Sequence, residues 1–333
     1  MKTPSLTLDD VRVARRRLAG GLRLTPCHEA PAIAAIAGVR VWLKREDLQR
    51  TGSFKERGAR HALLSLSSAQ RARGVVAASA GNHALGLAFH GGGLGVKVTV
   101  VMPVSAPAVK VERCRGLGAE VVLHGENFEA AERYARERAA DEGASYVHPF
   151  DDVRVIAGQG TLALEWLEQA PELDTIVVPV GGGGLLAGVA TVVKALRPDV
   201  RVVAVEPENA AGFLAACLRG APSRAALLPT LADGLAVARV AETTFTLAAP
   251  LVDDVVTVSE AEIERAIGVL ARENGIVAEG AAATGVAALL SGKIGRTRAV
   301  GLAITGRNID ARVHDRVLAR TAGERRHALA HAA

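Results

Sequence analysis

Aromatic residues are scarce in this sequence. Only 3% of its 333 residues are Phe, Trp or Tyr, so a hydrophobic core has to be built from Ala, Val and Leu. The scarcity also removes the aromatic platform on which nucleic-acid bases stack, and the arginines are dispersed or lie near the ends of the chain. We therefore expect no nucleic-acid partner, although the net charge is +5.

Cysteines and long apolar runs are also few. Cys27, Cys114 and Cys217 lack the spacing of a metal site or a redox pair, which is typical of reduced thiols in a cytoplasmic protein. No uninterrupted apolar run is long enough to cross a bilayer, and residues 1–10 are too polar for a signal peptide. These absences predict a cytoplasmic protein with no membrane partner.

Apolar strand-like runs alternate with helical stretches along the chain. Residues 96–123 contain one such strand, helix and strand unit, and Thr7 with Asp10 and Ser259 with Glu262 predict capping boxes that open two helices. The alternation predicts an α/β fold in which helices cover both faces of parallel sheets. A chain of this length is sufficient for two domains.

Three short segments have the composition of a reactive site. Lys55 stands among small polar residues in TGSFKER, where desolvation would make its amine a nucleophile; a solvated loop lysine would also fit. SAGNH (79–83) precedes a helical stretch and favours anion binding at a helix N-terminus, although an ordinary capped turn has the same composition. GGGGL (181–185) lies between a strand-like run and a helix, an arrangement that holds phosphate because glycine lets the backbone approach the oxygens closely.

The glycine segment has a second interpretation. Gly182, Gly184 and Ala187 satisfy the alanine-ended dinucleotide fingerprint, and Glu206 ends the next strand-like run, where a ribose-binding carboxylate belongs. This pattern favours a nicotinamide-dependent oxidoreductase. It leaves Lys55 and the SAGNH segment without a role, since hydride transfer requires neither. A P-loop is excluded because no Gly-Lys-Ser/Thr follows the glycines.

Six segments, taken together and in order, resemble the threonine/serine dehydratases (ammonia-lyases) of the fold-type II pyridoxal-phosphate enzymes, which have serine racemases among their relatives. They cover nearly the whole chain and are EDLQRTGSFKERGA (46–59), SAGNHALG (79–86), VVPVGGGGLLAG (177–188), ADGLAV (232–237), EGAAA (279–283) and TGRNID (305–310). The resemblance implies a tryptophan synthase β-like fold, with two open parallel-sheet α/β domains and the cofactor in the cleft between them. It assigns residues 1–60 and 148–320 to a large cofactor-binding domain, 61–147 to a small substrate-loop domain and 321–333 to a frayed tail.

The resemblance also implies roles for individual residues around pyridoxal 5'-phosphate. Lys55 forms the Schiff base, Asn82 hydrogen-bonds the ring hydroxyl, and Thr305 faces the pyridine nitrogen, where the close dehydratases more often have serine. Ser53 is an orienting or proton-transfer residue. The remaining cofactor contacts are Phe54, Gly181, Gly182, Gly183, Gly184, Leu185, Gly234 and Glu279. The substrate loop consists of Ser79, Ala80, Gly81, Asn82 and His83.

The implied reaction is β-elimination from L-threonine or L-serine, in which Lys55 removes the Cα proton and a 2-oxo acid and ammonia are released. A neutral hydroxyl at Thr305 agrees with elimination, because it does not enforce protonation of the pyridine nitrogen. The alternative is a serine racemase or a hydroxyaspartate-type dehydratase, and the distant alternative is the NAD-dependent oxidoreductase. Racemization requires an acid opposite Lys55, and Ala80 has a methyl group where serine racemases have serine.

The resemblance also has implications for metal binding and for the oligomeric state. Some relatives bind a divalent cation through a glutamate at the position of Glu206 and a nearby acidic residue. Here Ala211 and Gly212 stand where the acidic side chains would be, so we predict no metal. The habit of the family predicts a homodimer or higher homo-oligomer. Because the chain stops soon after TGRNID, we expect no appended regulatory domain and no feedback inhibition by isoleucine.

Overall fold

The computed structural model describes the backbone of residues 4–332 and the side chains of residues 4–322. Its helices are α1 (Leu8–Leu18), α2 (Pro31–Ala37), α3 (Lys55–Leu64), α4 (Ser68–Arg73), α5 (Asn82–Leu94), α6 (Ala108–Gly116), α7 (Phe128–Asp141), α8 (Val153–Gln169), α9 (Gly184–Leu196), α10 (Gly212–Arg219), α11 (Glu242–Ala248), α12 (Glu260–Asn274), α13 (Gly280–Leu290) and α14 (Ala311–Ala332). Its strands are β1 (Cys27–Glu29), β2 (Arg40–Arg45), β3 (Val75–Ala78), β4 (Val98–Met102), β5 (Glu120–Leu123), β6 (Ser145–Tyr146), β7 (Thr175–Pro179), β8 (Arg201–Pro207), β9 (Asp254–Val258) and β10 (Ala299–Ile304).

The strands form two sheets. The larger has the order β1-β2-β10-β7-β8-β9 and the smaller has the order β5-β4-β3-β6. All neighbours are parallel except β1, which pairs antiparallel with β2. The predicted α/β fold with parallel sheets is confirmed. The smaller sheet falls within the segment assigned to the small domain, and the domain boundaries themselves stay a prediction.

The core consists mostly of aliphatic side chains, which cover both faces of the larger sheet and both faces of the smaller sheet. Strands β7 and β10 are buried along their whole length, as expected when helices cover both faces of a parallel sheet. One of the few aromatic residues, Trp166, is fully buried. A Cβ at Gly301 would lie 2.8 Å from the Trp166 ring, so the central strand needs glycine at the point where this large ring packs.

Local end signals account for several helix boundaries. Both predicted capping boxes are present: Thr7 with Asp10 opens α1, and Ser259 with Glu262 opens α12. The backbone of α14 continues to Ala332, through most of the segment that the resemblance assigned to a frayed tail. Residues 321–332 include four Ala and two Arg, which have high helix propensity. The side chains of residues 323–333 lie outside the described residues, and fraying of this segment stays a prediction. None of the described helices is long and apolar enough to cross a bilayer.

A buried ion-pair cluster lies beside the start of α3. The Arg57 guanidinium donates through Nε and Nη2 to Glu46, at 2.8 and 2.7 Å, and through Nη1 and Nη2 to Glu165, both at 2.7 Å. Lys44 Nζ donates to Glu165 Oε2 at 2.7 Å. Burial raises the pKa of Glu46, but the charge and hydrogen bonds of Arg57 outweigh it and hold that pKa below its ordinary value. The cluster joins β2, α3 and α8.

Replacing Arg57 tests how much this cluster contributes to stability. We expect Arg57→Gln to lower the free energy of unfolding by about 3–5 kcal/mol, because the variant leaves the buried Glu46 and the partly buried Glu165 without their shared cation. Urea unfolding followed by circular dichroism measures the change. The matched control is Arg12→Gln, which breaks the exposed pair with Asp9 and should cost less than about 1 kcal/mol. Equal losses in the two variants would contradict the assigned role of the cluster.

Candidate active site

Lys55 is the first residue of α3, and the two residues before it contact the two residues that follow β10. The Phe54 amide donates to Thr305 O at 3.0 Å, and Ser53 forms a β-bridge with Gly306. The Lys55 amine donates to Pro149 O at 2.8 Å and lies 5.2 Å from the centre of the Phe54 ring. Burial lowers the pKa of Lys55 to about 8, against the opposing charge of Glu279. This amine is therefore far easier to deprotonate than an exposed lysine.

The glycine loop (residues 181–184) connects β7 to α9. Gly183 has φ of +88°, which other residues rarely adopt. A Cβ at Gly182 would overlap the Phe150 ring, and one at Gly184 would lie 3.0 Å from Phe150 O. Within the described residues, no protein acceptor takes the amides between Gly182 and Leu185. Free amides at the start of a helix are a favourable environment for a phosphate group.

The SAGNH segment forms the turn between β3 and α5. Its Ser79 hydroxyl accepts from the Gly81 amide at 3.2 Å, and no side chain of the described residues caps the helix at Gly81. His83 is buried with its Nε2 3.3 Å from Val147 O. Burial, together with the nearby Lys55 charge, lowers the pKa of His83 to about 3, so this ring is neutral. The first turn of α5 therefore presents backbone amides next to a neutral imidazole.

Asn82, Glu279 and Asn308 form a hydrogen-bonded trio, which connects the SAGNH segment to residues before α13 and after β10. Asn82 Nδ2 donates to Glu279 Oε1 at 2.8 Å, Asn308 Nδ2 donates to Asn82 Oδ1 at 2.6 Å, and the Asn308 amide donates to Glu279 Oε2 at 3.1 Å. Burial raises the pKa of Glu279 to about 7, and its hydrogen bonds oppose that shift. A Cβ at Gly234 would lie 3.8 Å from Glu279 Oε1, and one at Gly181 would lie 3.4 Å from Gly234 O. The trio, Gly234 and the glycine loop are thus contiguous.

Other predicted residues complete the same region. Thr305 directly follows β10 and is buried, and the buried Ser53 hydroxyl has no hydrogen-bond partner within the described residues. Ala80 packs against the apolar core of the smaller sheet. A Cβ at Gly86 would lie 3.3 Å from Lys55 O, which shows how closely α5 approaches the start of α3. The segments singled out in the sequence therefore come together in space.

The structure also brings in residues that the sequence analysis missed. Pro149 and Phe150 act through a carbonyl and a ring, and no motif marks them. Asn308 lies within the TGRNID segment, and its polar side-chain amide in that segment was the signal that marked it as a possible site residue. Thr244 donates from its hydroxyl to Gly182 O at 2.7 Å, a contact between residues 62 positions apart that no local pattern reveals.

Glu206 has a structural role in this chain. Its carboxylate accepts from the Phe213 and Leu214 amides at 2.7 and 2.8 Å, so it caps the first turn of α10. Burial raises the pKa of Glu206 to about 7. Among the residues with described side chains, no group of three or more His, Cys, Asp or Glu could hold a metal ion.

The chemistry of this region fits a phosphorylated aldehyde. It offers an easily deprotonated amine at Lys55, amides in the glycine loop that donate to no described residue, and buried polar atoms without partners in the described part of the chain at Ser53 Oγ and His83 Nδ1. An amine condenses with an aldehyde, and helix-terminal amides bind phosphate. The residues present therefore fit pyridoxal phosphate.

Comparison with known proteins agrees with this chemistry. The family model for pyridoxal-phosphate dependent enzymes matches residues 18–306, and the chain belongs to that family. It is 44% identical to the L-threonine ammonia-lyase of Thermotoga maritima over 94% of this chain and 78% of the relative. The processed threonine deaminase isoform 2 of Solanum lycopersicum has a TM-score of 0.88, 34% identity and coverage of 97% and 91%. The serine racemase of Dictyostelium discoideum has a TM-score of 0.85, 37% identity and coverage of 92% and 99%.

These findings confirm the predicted family, the fold-type II architecture and the pyridoxal-phosphate cofactor. The oxidoreductase alternative is wrong, because the dinucleotide-like pattern of the glycine loop belongs to a pyridoxal-phosphate enzyme. The pattern is misleading because both cofactors place a phosphate at the start of a helix that follows a parallel strand.

The lowered pKa of Lys55 leads to a test in the cofactor-free protein. We expect competitive acylation with trace acetic anhydride, read at the Lys55 peptide by mass spectrometry, to rise with pH and reach half its maximum near pH 8. Because Glu279 raises the Lys55 pKa, Glu279→Gln should move that midpoint to lower pH. The exposed Lys97 serves as an internal control. A Lys55 midpoint equal to that of Lys97 would contradict the expected desolvation.

Proposed function

We propose that this enzyme is a threonine/serine ammonia-lyase, which removes the β-hydroxyl and the amino group of L-threonine or L-serine to give a 2-oxo acid and ammonia. The observation that carries the proposal is the easily deprotonated Lys55 amine, which is connected to a helix-terminal glycine loop through the neighbouring residues Pro149 and Phe150. The likeness to proteins named as threonine ammonia-lyase and threonine deaminase supports the substrate.

Pyridoxal phosphate, when bound, supplies an aldehyde that condenses with amines and a ring that accepts the electron pair left at the substrate Cα. Lys55 holds the cofactor between turnovers, and its amine then takes the Cα proton. With a pKa of about 8, a useful fraction of this amine is neutral at neutral pH, as a general base requires. The carbonyl of Pro149 orients it.

Backbone amides provide the anion-binding parts of the proposed site. Residues 181–185 hold the cofactor phosphate, and the turn at 79–83 binds the substrate carboxylate. In the remaining contacts, Asn82 binds the ring hydroxyl with the Nδ2 hydrogen that Glu279 leaves free. Thr305 places a neutral hydroxyl at the pyridine nitrogen. Phe54 and Gly234 line the cofactor, and Ser53 orients the reacting groups.

The setting of the site is also part of the proposal. The cleft lies between a large domain (1–60 and 148–320) and a small domain (61–147). The protein works in the cytoplasm as a homodimer or higher homo-oligomer. L-serine is a substrate beside L-threonine, since the two differ by a single methyl group and both present a β-hydroxyl.

The reaction and the reactive lysine are testable together. The purified protein with pyridoxal phosphate should form 2-oxobutanoate and ammonia from L-threonine, and pyruvate and ammonia from L-serine. After borohydride reduction, peptide mapping should locate a pyridoxyl adduct on Lys55. Lys55→Ala should lose the adduct and at least about a thousandfold in turnover, because it lacks both the attachment point and the general base. Lys97→Ala, which removes an exposed lysine, is the control, and an adduct on another lysine would refute the assignment.

Ala80 leads us to expect that elimination is faster than racemization. A methyl group cannot return a proton to the Cα face opposite Lys55, so L-serine should give pyruvate with little D-serine. We expect Ala80→Ser to increase the D-serine yield without abolishing elimination. Chiral chromatography of the products measures both. Faster formation of D-serine than of pyruvate by the unmodified protein would favour racemase as the function.

A further inference from the structure

A buried hydroxyl contacts the glycine loop from outside. Thr244, on α11, is fully buried, and its Oγ1 lies 2.7 Å from Gly182 O and 3.1 Å from Ala241 O. A threonine hydroxyl has one hydrogen to donate, and the shorter contact is the one to the loop. A residue far along the chain therefore fixes a carbonyl within the loop.

The position of that carbonyl determines where the next amide points. A peptide group is planar and trans, so the C=O of Gly182 and the N–H of Gly183 point in opposite directions. Holding the carbonyl oxygen toward Thr244 turns the Gly183 amide away from it, toward the open side of the loop. A Cβ at Gly183 would lie 2.9 Å from Thr244 Oγ1. The hydroxyl thus occupies the space that a side chain at Gly183 would need.

We propose that Thr244 is a positioning residue that preorganises the glycine loop for the phosphate of pyridoxal phosphate. This inference rests on the proposed assignment of residues 181–185 to the phosphate. Without the hydroxyl, the flexible Gly182–Gly183 peptide can rotate. Binding then has to order this peptide, which lowers the affinity for the phosphate. Thr244 acts on the phosphate through the loop and touches neither substrate nor the reacting atoms.

The test is the affinity of the full-length protein for two probes, pyridoxal phosphate and pyridoxal, which differ only by the phosphate. After the bound cofactor is removed, each probe is titrated and followed by absorbance. We expect Thr244→Val to weaken pyridoxal phosphate by roughly tenfold, the value of about one hydrogen bond, and to leave pyridoxal unchanged. Thr244→Ser should restore the affinity for pyridoxal phosphate. Equal effects on both probes, or none, would overturn the inference.

Two further variants separate local from general effects. Thr191→Val is the matched control, because the Thr191 hydroxyl also donates to a buried backbone carbonyl, Ala187 O at 2.8 Å, away from the loop. It should change neither affinity. Circular dichroism verifies folding, and Thr244→Ala gives the same comparison if the valine variant does not fold.

Gly183→Ala distinguishes failure of this inference from failure of the proposed phosphate site. A phosphate-selective loss in Gly183→Ala and in Thr244→Val supports both. A selective loss in Gly183→Ala alone overturns the role of Thr244 and leaves the loop assignment standing. No selective loss in Gly183→Ala overturns the loop assignment and the inference with it.

Discussion

The geometry of the site depends on the ion pairs that the Arg57 guanidinium makes. It bonds Glu46, which follows β2, and Glu165 on α8, and it lies two residues after Lys55 on α3. A planar fork that bonds two carboxylates has few alternative orientations. The start of α3 is therefore fixed relative to the sheet and to α8, and Lys55 is fixed with it. A desolvated amine is useful only if it stays in one position, and the buried cluster supplies that constraint.

The opposite side of the site is arranged on a different principle. There the chain presents backbone amides and neutral groups, because the anions to be bound bring their own charge. His83 stays neutral through burial, and Asn82 is held by Glu279 and Asn308. The charges that hold the scaffold together are thus kept apart from the surfaces that meet cofactor and substrate. Lys55 is at the boundary between these two regions.

Much of this arrangement is predictable from sequence because it is local. Alternating apolar runs predict parallel strands and helices, and the composition around Lys55 and the glycine loop marks the reactive segments. The contacts of Phe150, Pro149 and Thr244 are not predictable, since they join residues far apart in the chain through a ring, a carbonyl and a single hydroxyl. At Glu206 the sequence suggests a functional role that the structure does not show. Its position at a strand end suggested a ligand-binding carboxylate, whereas it caps the first turn of α10. Strand-end position alone does not distinguish these uses.

The place of β10 in the larger sheet has a consequence for biosynthesis. β10 lies between β2 and β7 and pairs with both, and the two residues that follow it, Thr305 and Gly306, hold Phe54 and Ser53 in position. The two halves of the sheet therefore have no hydrogen-bonded connection until a strand from near the end of the chain is inserted. While the ribosome is still translating the middle of the chain, Lys55 has already emerged but has no finished surroundings. Capture of the cofactor must then follow synthesis of β10, so that a truncated nascent chain exposes its lysine without acquiring a functional aldehyde site.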